Sequence, residues 1–222
     1  MDTADKLSDW VRRLQALLSR NELYSQRQQA RARYCPQLSY GRHFAPPGPT
    51  ARTAAVMILL EFPSPGANWQ SGSIPLTVRP PNLVDHPGQI SLPGGRVEEA
   101  ESAYDAAIRE FCEELGVEEF PGEVIGPLFP MWVFNSNYFL TPFLAIRKHI
   151  VEYRPCSREV ARLIHLPVAE LLKDEQPSQR CFSRGSVSWN AGEFNYQEDC
   201  IWGATAMILA ELAAILKQVA VA

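Results

Sequence analysis

Positive charge is not in excess in this sequence. Its 222 residues include 21 Lys and Arg against 25 Asp and Glu, which gives a formal net charge of -4 at pH 7. A chain without a basic excess lacks the electrostatic field that attracts a phosphate backbone, so general nucleic-acid binding is disfavoured. We therefore expect no nucleic-acid partner, although a metal site could still accept a small nucleotide-like molecule.

Closely spaced cysteines and long apolar runs are missing as well. The five cysteines are scattered without a CxxC spacing, which argues against a disulfide framework and against a zinc site. No basic segment followed by an apolar one opens the chain, so a signal peptide is not predicted. The longest apolar stretch, residues 204–216, is interrupted by Thr205 and Glu211 and is too short to span a bilayer. These absences predict a soluble protein of the reducing cytoplasm with no membrane partner.

Apolar residues make up 46% of the chain, which is enough for one well-filled domain with an appended element. Residues 1–40 are predicted to form a helical extension, with an amphipathic pattern over 3–20 and an arginine-rich pattern over 22–33. We interpret these helices as packing elements or as contacts of a homodimer. A proline-rich connector covers residues 41–53, and residues 54–222 form the predicted main domain.

Short apolar runs in the main domain predict strands, which lie at 54–62, 74–79, 124–134, 138–147 and 162–167. The first two suggest a hairpin, and the third and fourth suggest a second strand pair. Residues 190–192, Asn-Ala-Gly, favour a hairpin between strands at 187–189 and 194–196. Helices are predicted at 168–172 and 204–220. Because the elements lack a regular βαβ repeat, the predicted fold class is α/β (α+β), a mixed sheet covered by helices on both faces.

The segment from Gly94 to Val117 reads GGRVEEAESAYDAAIREFCEELGV. Ser102 and Asp105 are spaced like an N-terminal capping pair, and Gly116 is placed as a C-terminal stop. A helix is therefore predicted from about residue 102 to residue 115.

Three carboxylates meet near the C-terminal end of this predicted helix. Glu110, Glu113 and Glu114 share one face, because residues three and four apart are neighbours on a helix. That end of a helix carries partial negative charge, so the cluster costs stability unless a cation lies beside it. Arg109 can offset only part of this charge. Mg²⁺ takes oxygen ligands and is often held by a few carboxylates and substrate phosphates, so the pattern predicts a divalent metal site.

The spacing of this segment resembles the Nudix box, whose fixed positions here are Gly95, Glu101, Arg109, Glu110, Glu113, Glu114 and Gly116. The resemblance implies an α/β/α sandwich that uses Mg²⁺ or Mn²⁺ to hydrolyse a diphosphate linked to another group. It also implies that Glu101 braces the loop against the helix and that Arg109 orients Glu101 or Glu113. In this reading, Gly95 and Gly116 serve the structure of the box.

Site roles follow from the resemblance and from the helical spacing together. Glu110 and Glu114 are expected to bind the essential metal, and the backbone carbonyl of Gly94 is expected to approach the same ion. Glu113 would bind a second ion or the attacking water. Two residues are candidates for the general base: Glu113, and Glu159 just before the strand at 162–167. We favour Glu159 as a further metal ligand.

The segment just before the box, LTVRPPNLVDHPGQISLPGG, resembles the signature of the coenzyme A pyrophosphatase branch of the Nudix hydrolases. The matching residues are Leu76, Thr77, Arg79, His86, Gly88, Gln89, Pro93, Gly94 and Gly95. The resemblance implies cleavage of coenzyme A or acyl-coenzyme A to 3',5'-ADP and 4'-phosphopantetheine. Arg79, His86 and Gln89 would then contact the substrate.

Three positions depart from that signature: Val84 replaces a second Arg, Leu92 replaces a Phe, and Pro80 replaces a Ser or Ala. Val84 bears on the substrate, since the missing Arg would hold phosphate. Other diphosphates such as ADP-ribose, a nucleoside-diphosphate sugar or a dinucleotide therefore stay open as alternatives. A third alternative is a non-catalytic domain that senses a nucleotide, although every box carboxylate is intact.

Overall fold

The structure is a computed structural model and describes residues 3–19, 23–65, 67–82, 87–173 and 177–221. Its helices are α1 (Thr3–Ser19), α2 (Tyr24–Ala32), α3 (Ala103–Leu115), α4 (Val168–Lys173) and α5 (Gly203–Val221). All five were predicted, and their observed ends differ from the predicted ones by one or two residues. Within the described residues, no helix is long and apolar enough to cross a membrane.

The strands form one large mixed sheet and one small antiparallel sheet. They are β1 (Arg52–Glu61), β2 (Ser73–Val78), β3 (Ile90–Ser91), β4 (Gly94–Arg96), β5 (Glu123–Pro127), β6 (Met131–Val133), β7 (Tyr138–Arg147), β8 (Arg162–Pro167), β9 (Ser178–Arg184), β10 (Val187–Tyr196) and β11 (Asp199–Trp202). The large sheet runs β3-β2-β1-β7-β5, with β4 on β1, β6 on β7 and β8 on β2. β1 and β7 are parallel and their other neighbours are antiparallel, so the sheet is mixed as predicted.

Alternate side chains of β1 enter two different cores. Met57 and Leu59 pack with α3, whereas Ile58 and Leu60 pack with α5 and α1 on the other face. Successive strand residues point to opposite faces, so a strand that is apolar throughout must be covered on both. The structure therefore confirms the predicted sandwich of helices around a mixed sheet. α3 lies on one side and the other long helices lie on the opposite side.

The N-terminal helices pack against the same body of the protein. Trp10 and Leu14 of α1 are buried, and Trp10 stacks on Trp69 with ring centroids 5.9 Å apart. Arg27 and Arg31 of α2 are buried against Glu211 of α5. The described part of the apolar stripe of α1, from Trp10 onward, thus packs within one chain. A homodimer, and the division at residues 40 and 53, stay predictions.

Two predicted strand arrangements were wrong. Residues 190–192 are not a hairpin turn, because β10 runs through them and pairs with β9 and β11. Gly192 is needed there for a long-range reason: a Cβ would lie 2.6 Å from the backbone oxygen of Arg33. The predicted strand at 124–134 is two strands, β5 and β6, which both pair with β7.

The predicted hairpin of β1 and β2 is reduced to a single residue pair, Glu61 and Ser73. β4 pairs with the same edge of β1 nearer its N-terminal end, where Val56 pairs with Gly94. The box segment therefore enters the central sheet directly before it becomes α3.

Candidate active site

The helix that carries the predicted site begins and ends where its sequence signals lie. Ser102 Oγ accepts a hydrogen bond from the backbone N–H of Asp105 at 3.1 Å, as an N-cap should. Gly116 ends α3 with φ +65°, and a Cβ there would meet the backbone oxygen of Arg154. A left-handed residue at this position favours glycine. The local signals thus fix where the carboxylates of α3 stand.

The two glycines of β4 have different roles. A Cβ on Gly94 would lie 2.6 Å from Val56 Cα, so Gly94 lets β4 pack closely on β1. A Cβ on Gly95 would lie 2.4 Å from the Glu110 carboxyl carbon, so Gly95 leaves room for that side chain. Gly95 therefore sets the position of a predicted metal ligand, whereas Gly94 holds the strand in place.

This difference predicts that one alanine substitution lowers mainly the activity and the other lowers mainly the stability. Gly95→Ala should displace the Glu110 carboxylate and lower hydrolysis by about 10²-fold, with a small change in stability. Gly94→Ala should lower the free energy of unfolding by about 1–3 kcal/mol, because it overpacks β1. Denaturant unfolding and initial rates of both variants check the pair. Equal losses of stability in the two would contradict the assignment.

Glu114 is the most enclosed carboxylate of the candidate site. It is 6% exposed, and its Oε2 is buried without a hydrogen-bond partner. Burial, with the neighbouring charges of Glu110 and Glu159, raises the pKa of Glu114 to about 8, although Arg79 and a backbone hydrogen bond from Gly94 act in the opposite direction. A buried carboxylate oxygen without a partner is costly, and a bound cation would satisfy it.

Arg109 holds the box together. Its Nε and Nη2 donate to the two Glu101 oxygens at 2.8 and 3.1 Å, and Nη1 donates to Glu110 at 2.9 Å and Glu113 at 3.2 Å. Nη2 also donates to the backbone oxygen of Arg96, a contact that the sequence did not predict. Hydrogen bonding to Glu101 is the main cause that raises the pKa of Arg109.

The other two carboxylates of α3 differ in exposure. Burial raises the pKa of Glu110, although its bond to Arg109 works against this. The side chain of Glu113 is 58% exposed and turns to Arg109. Among the described residues, no three Asp, Glu, His or Cys side chains are arranged to hold a metal ion as they stand. The donor set still fits a hard cation: Glu110 and Glu114 flank the β4 glycines, and one Glu114 oxygen is unsatisfied.

The backbone at the end of α3 brings Glu159 to the same place. The N–H groups of Arg154 and Cys156 donate to the backbone oxygens of Leu115 and Glu114 at 2.9 and 3.0 Å. These bonds satisfy carbonyls that a helix end leaves free. Glu159 is exposed, and its charge acts on both Glu110 and Glu114. The structure therefore brings together the four acidic residues that the sequence selected.

Arg79 lies at the end of β2 beside these carboxylates. Its backbone N–H donates to the Gln89 oxygen at 3.0 Å, and the Gly88 N–H donates to the Arg79 oxygen at 3.2 Å. The intervening loop includes Val84 and His86, which lie outside the described residues. The Arg79 Nε is buried without a hydrogen-bond partner. Arg79 and Gln89 are thus held together at one end of the sheet, and the charge of Arg79 acts on Glu114.

Comparison with known proteins identifies the family. A family model described as NUDIX domain matches residues 65–185, more than half of the chain. The "Uncharacterized Nudix hydrolase NudL" of Escherichia coli K12 is 34% identical over 170 residues, covering 73% of this chain and 81% of NudL. The protein of the same name from Shigella boydii is 33% identical over the same length. RenU, a Nudix hydrolase from M. smegmatis, shares 22% identity with a TM-score of 0.44, covering 53% of this chain and 71% of RenU.

The chain belongs to the Nudix hydrolase family. It is a hydrolase that acts on diphosphate bonds, as its box implied. Members of the family generally use divalent metal ions, and the carboxylates of α3 are the residues here that could hold one.

Proposed function

We propose that this protein is a Mg²⁺- or Mn²⁺-dependent diphosphatase that cleaves coenzyme A or acyl-coenzyme A into 3',5'-ADP and the corresponding 4'-phosphopantetheine. The observation that carries the proposal is a pair of buried groups of opposite charge, each with an atom that has no hydrogen-bond partner, whose charges act on each other. Glu114 Oε2 requires a cation, and Arg79 Nε requires an acceptor such as a phosphate oxygen. A metal-bound diphosphate satisfies both groups at once.

The residues of α3 and β4 divide the work of such a reaction. We assign Glu110, Glu114 and the backbone of Gly94 to the metal, with Glu113 or Glu159 as further ligands. If these residues held a divalent ion, it would supply charge neutralisation for the diphosphate and would lower the pKa of a water molecule. Arg109 and Glu101 fix the side chain of Glu110 through the ion pairs described above. The protein supplies position and charge rather than a covalent intermediate.

Two carboxylates are candidates to take the proton from the attacking water. Glu113 is exposed, and its Oε2 already accepts a hydrogen bond from Arg109 Nη1 at 3.2 Å, so one of its oxygens is engaged. Glu159 is exposed, and the structure gives it no ion pair with an Arg or Lys among the described residues. We therefore favour Glu159, as a base or as a ligand that orients the water.

The choice of coenzyme A depends on the segment from Leu76 to Gly95. One departure from its signature does not argue against coenzyme A. Leu92 is 3% exposed and packs in the core that faces α5, so this position contributes to packing rather than to substrate binding. Val84, which replaces an Arg of the signature, still argues against coenzyme A, since it lies outside the described residues. For this reason ADP-ribose, nucleoside-diphosphate sugars and dinucleotides are the alternative substrates.

A substrate panel tests the proposal. Purified protein is incubated with Mg²⁺ and, separately, coenzyme A, acetyl-coenzyme A, ADP-ribose, UDP-glucose and a diadenosine polyphosphate, and products are identified by mass spectrometry. We expect kcat/KM for a coenzyme A substrate to be at least about 10-fold above the others, a difference of ~1.4 kcal/mol in transition-state binding. Good turnover of another diphosphate with an intact coenzyme A would replace the proposed substrate and leave the reaction class standing.

Arg79→Gln should lower kcat/KM for the diphosphate by about 10- to 100-fold, because a charged hydrogen bond to phosphate is lost. The expected loss is the same for every substrate of the panel, since all of them contain the diphosphate. Arg12→Gln, an exposed change on α1, is the matched control and should leave the rate unchanged. An Arg79→Gln variant as active as Arg12→Gln would remove Arg79 from the site.

We also propose a cytoplasmic location, on the grounds that all five cysteines are free and none is paired. A nucleic-acid partner is not proposed for a chain of net charge -4. The homodimer that the first helix suggested is not needed to cover its apolar face, which packs within the chain.

A further inference from the structure

Glu61, the last residue of β1, is a buried carboxylate with no part in the site described above. Its side chain is 0% exposed, and it lies on the face of the sheet covered by α3, as Met57 and Leu59 do. Along β1 it is about 16 Å from Val56, the residue that pairs with Gly94 of β4. Burying a carboxylate is costly unless its oxygens are hydrogen-bonded, so the contacts of Glu61 indicate what it does.

The hydrogen bonds that Glu61 accepts come from the 151–161 loop, the segment that leads to Glu159. Glu61 Oε1 accepts a hydrogen bond from the Tyr153 hydroxyl at 2.6 Å and another from the Val151 N–H at 3.2 Å. Glu61 Oε2 lies 3.6 Å from His165 Nδ1 without a hydrogen bond. The ring of Tyr153 packs edge-on against Phe111 of α3, with centroids 6.2 Å apart.

The rest of the loop is held by backbone bonds, one step after another. After Tyr153, the bonds of Arg154 and Cys156 to the end of α3 follow directly. The N–H groups of Glu159 and Val160 then donate to the Cys156 oxygen at 2.9 and 2.8 Å, and the Ala161 N–H donates to the Val78 oxygen at 2.8 Å. Among the described residues, the hydrogen bonds that join this loop to a side chain of the sheet are the two that Glu61 accepts at its start.

We propose that Glu61 is a positioning residue: through Tyr153 and Val151 it holds the 151–161 loop so that Glu159 faces the carboxylates of α3. This inference rests on the proposed role of Glu159. Glu61 itself touches neither the metal site nor the substrate. Without its two hydrogen bonds the first residues of the loop lose their attachment to the sheet, and the position of Glu159 depends on the turn that follows.

The test is a double-mutant cycle between Tyr153→Phe and Glu159→Gln. Tyr153→Phe removes one hydroxyl and keeps the ring against Phe111. We expect it to lower kcat by about 10-fold in the wild-type background, with KM changed less than about 2-fold, and to have no further effect in the Glu159→Gln background. Equal losses in the two backgrounds, or no loss in either, would overturn the proposal.

Two controls separate positioning from stability. Tyr104→Phe removes a hydroxyl from an exposed tyrosine of α3 and should leave kcat unchanged. Ile208→Val removes a buried methyl from α5, on the other face of the sheet, and should lower the melting temperature without affecting kcat. Glu61→Gln keeps an acceptor for Tyr153 and should retain more activity than Glu61→Leu.

Amide hydrogen exchange provides a readout that does not depend on turnover. In metal-free Tyr153→Phe protein, exchange of the Arg154, Cys156 and Val160 amides should rise at least about 10-fold, while amides in the middle of α3 stay as slow as in wild type. Unchanged exchange in the loop would contradict the attachment even if the enzyme had no diphosphate substrate. A Glu159→Gln variant with full activity would overturn the inference and leave the diphosphatase proposal intact.

Discussion

Hydrolysis by Glu114→Gln is expected to fall at least about 10²- to 10³-fold below wild type at saturating Mg²⁺, measured as product release from coenzyme A. Gln has the size of Glu but no charge, so the change removes the charge of a proposed metal ligand without creating a cavity. Glu114 is the carboxylate of α3 with a buried oxygen that has no hydrogen-bond partner, which is why we expect the largest loss at this position. The Glu114→Gln variant should remain folded, with a circular dichroism spectrum like that of wild type.

The same variant should be more stable than wild type when metal is removed. Burial raises the pKa of Glu114 in the folded protein to about 8 from its ordinary value of 4.5. A group with a raised folded pKa costs no stability below pH 4.5, and its cost grows as pH rises towards 8. In EDTA at pH 8, Glu114→Gln should therefore gain about 2–4 kcal/mol in the free energy of unfolding, and this gain should vanish at pH 4.5.

Glu119→Gln is the matched control, because Glu119 is exposed just beyond α3. It should change neither the rate nor the pH dependence of stability. Activity of Glu114→Gln equal to that of Glu119→Gln would remove Glu114 from the metal site. A loss of stability in EDTA at pH 8 would contradict the burial argument.

Glu211→Ala is expected to lower the free energy of unfolding by about 3–5 kcal/mol. Glu211 is 0% exposed; its Oε1 accepts from Arg27 Nε and Nη2 at 2.9 and 2.6 Å and from the Phe129 N–H at 3.1 Å. Arg31 lies 3.3 Å from its Oε2 and donates to the Phe129 oxygen. Without Glu211, two guanidinium groups remain buried with no counter-charge, and α2 loses its ion pairs with α5.

Thermal and denaturant unfolding of Glu170→Ala provide the comparison. Glu170 also forms an ion pair on a helix, with Lys173 at 2.6 Å, but both side chains are exposed. Its loss should cost less than about 1 kcal/mol. Equal costs for the two variants would mean that the buried network of α2 and α5 contributes no more than a surface pair.

The sequence predicts best where the cause of a structure is local. The capping residues Ser102 and Gly116 set the ends of α3, and the i, i+3 and i+4 spacing places Glu110, Glu113 and Glu114 together. Each of these depends on backbone geometry within one element, so the pattern is visible in the residues themselves. The family resemblance was confirmed by comparison with known proteins, and the mixed sheet was confirmed by the parallel pairing of β1 with β7.

Prediction failed where distant segments meet. Residues 190–192 have the composition of a turn, but glycine is required at 192 because the backbone of Arg33 packs against it. Arg33 lies more than 150 residues earlier in the sequence. The sequence of α2 suggests that Arg27 and Arg31 are exposed, whereas in the structure both are buried against Glu211. One sequence signal could have pointed to both buried carboxylates: Glu61 and Glu211 each interrupt an apolar element. An acidic residue in such a place requires a partner that the sequence does not name.

Cleavage of coenzyme A in ¹⁸O-enriched water tests the central claim most directly. Protein is incubated with coenzyme A and either Mg²⁺ or EDTA, and the masses of all products are recorded. We predict 3',5'-ADP and 4'-phosphopantetheine with one ¹⁸O atom in one of the two products, and intact substrate in EDTA. Intact coenzyme A under both conditions, or loss of only the 3'-phosphate, would contradict the account.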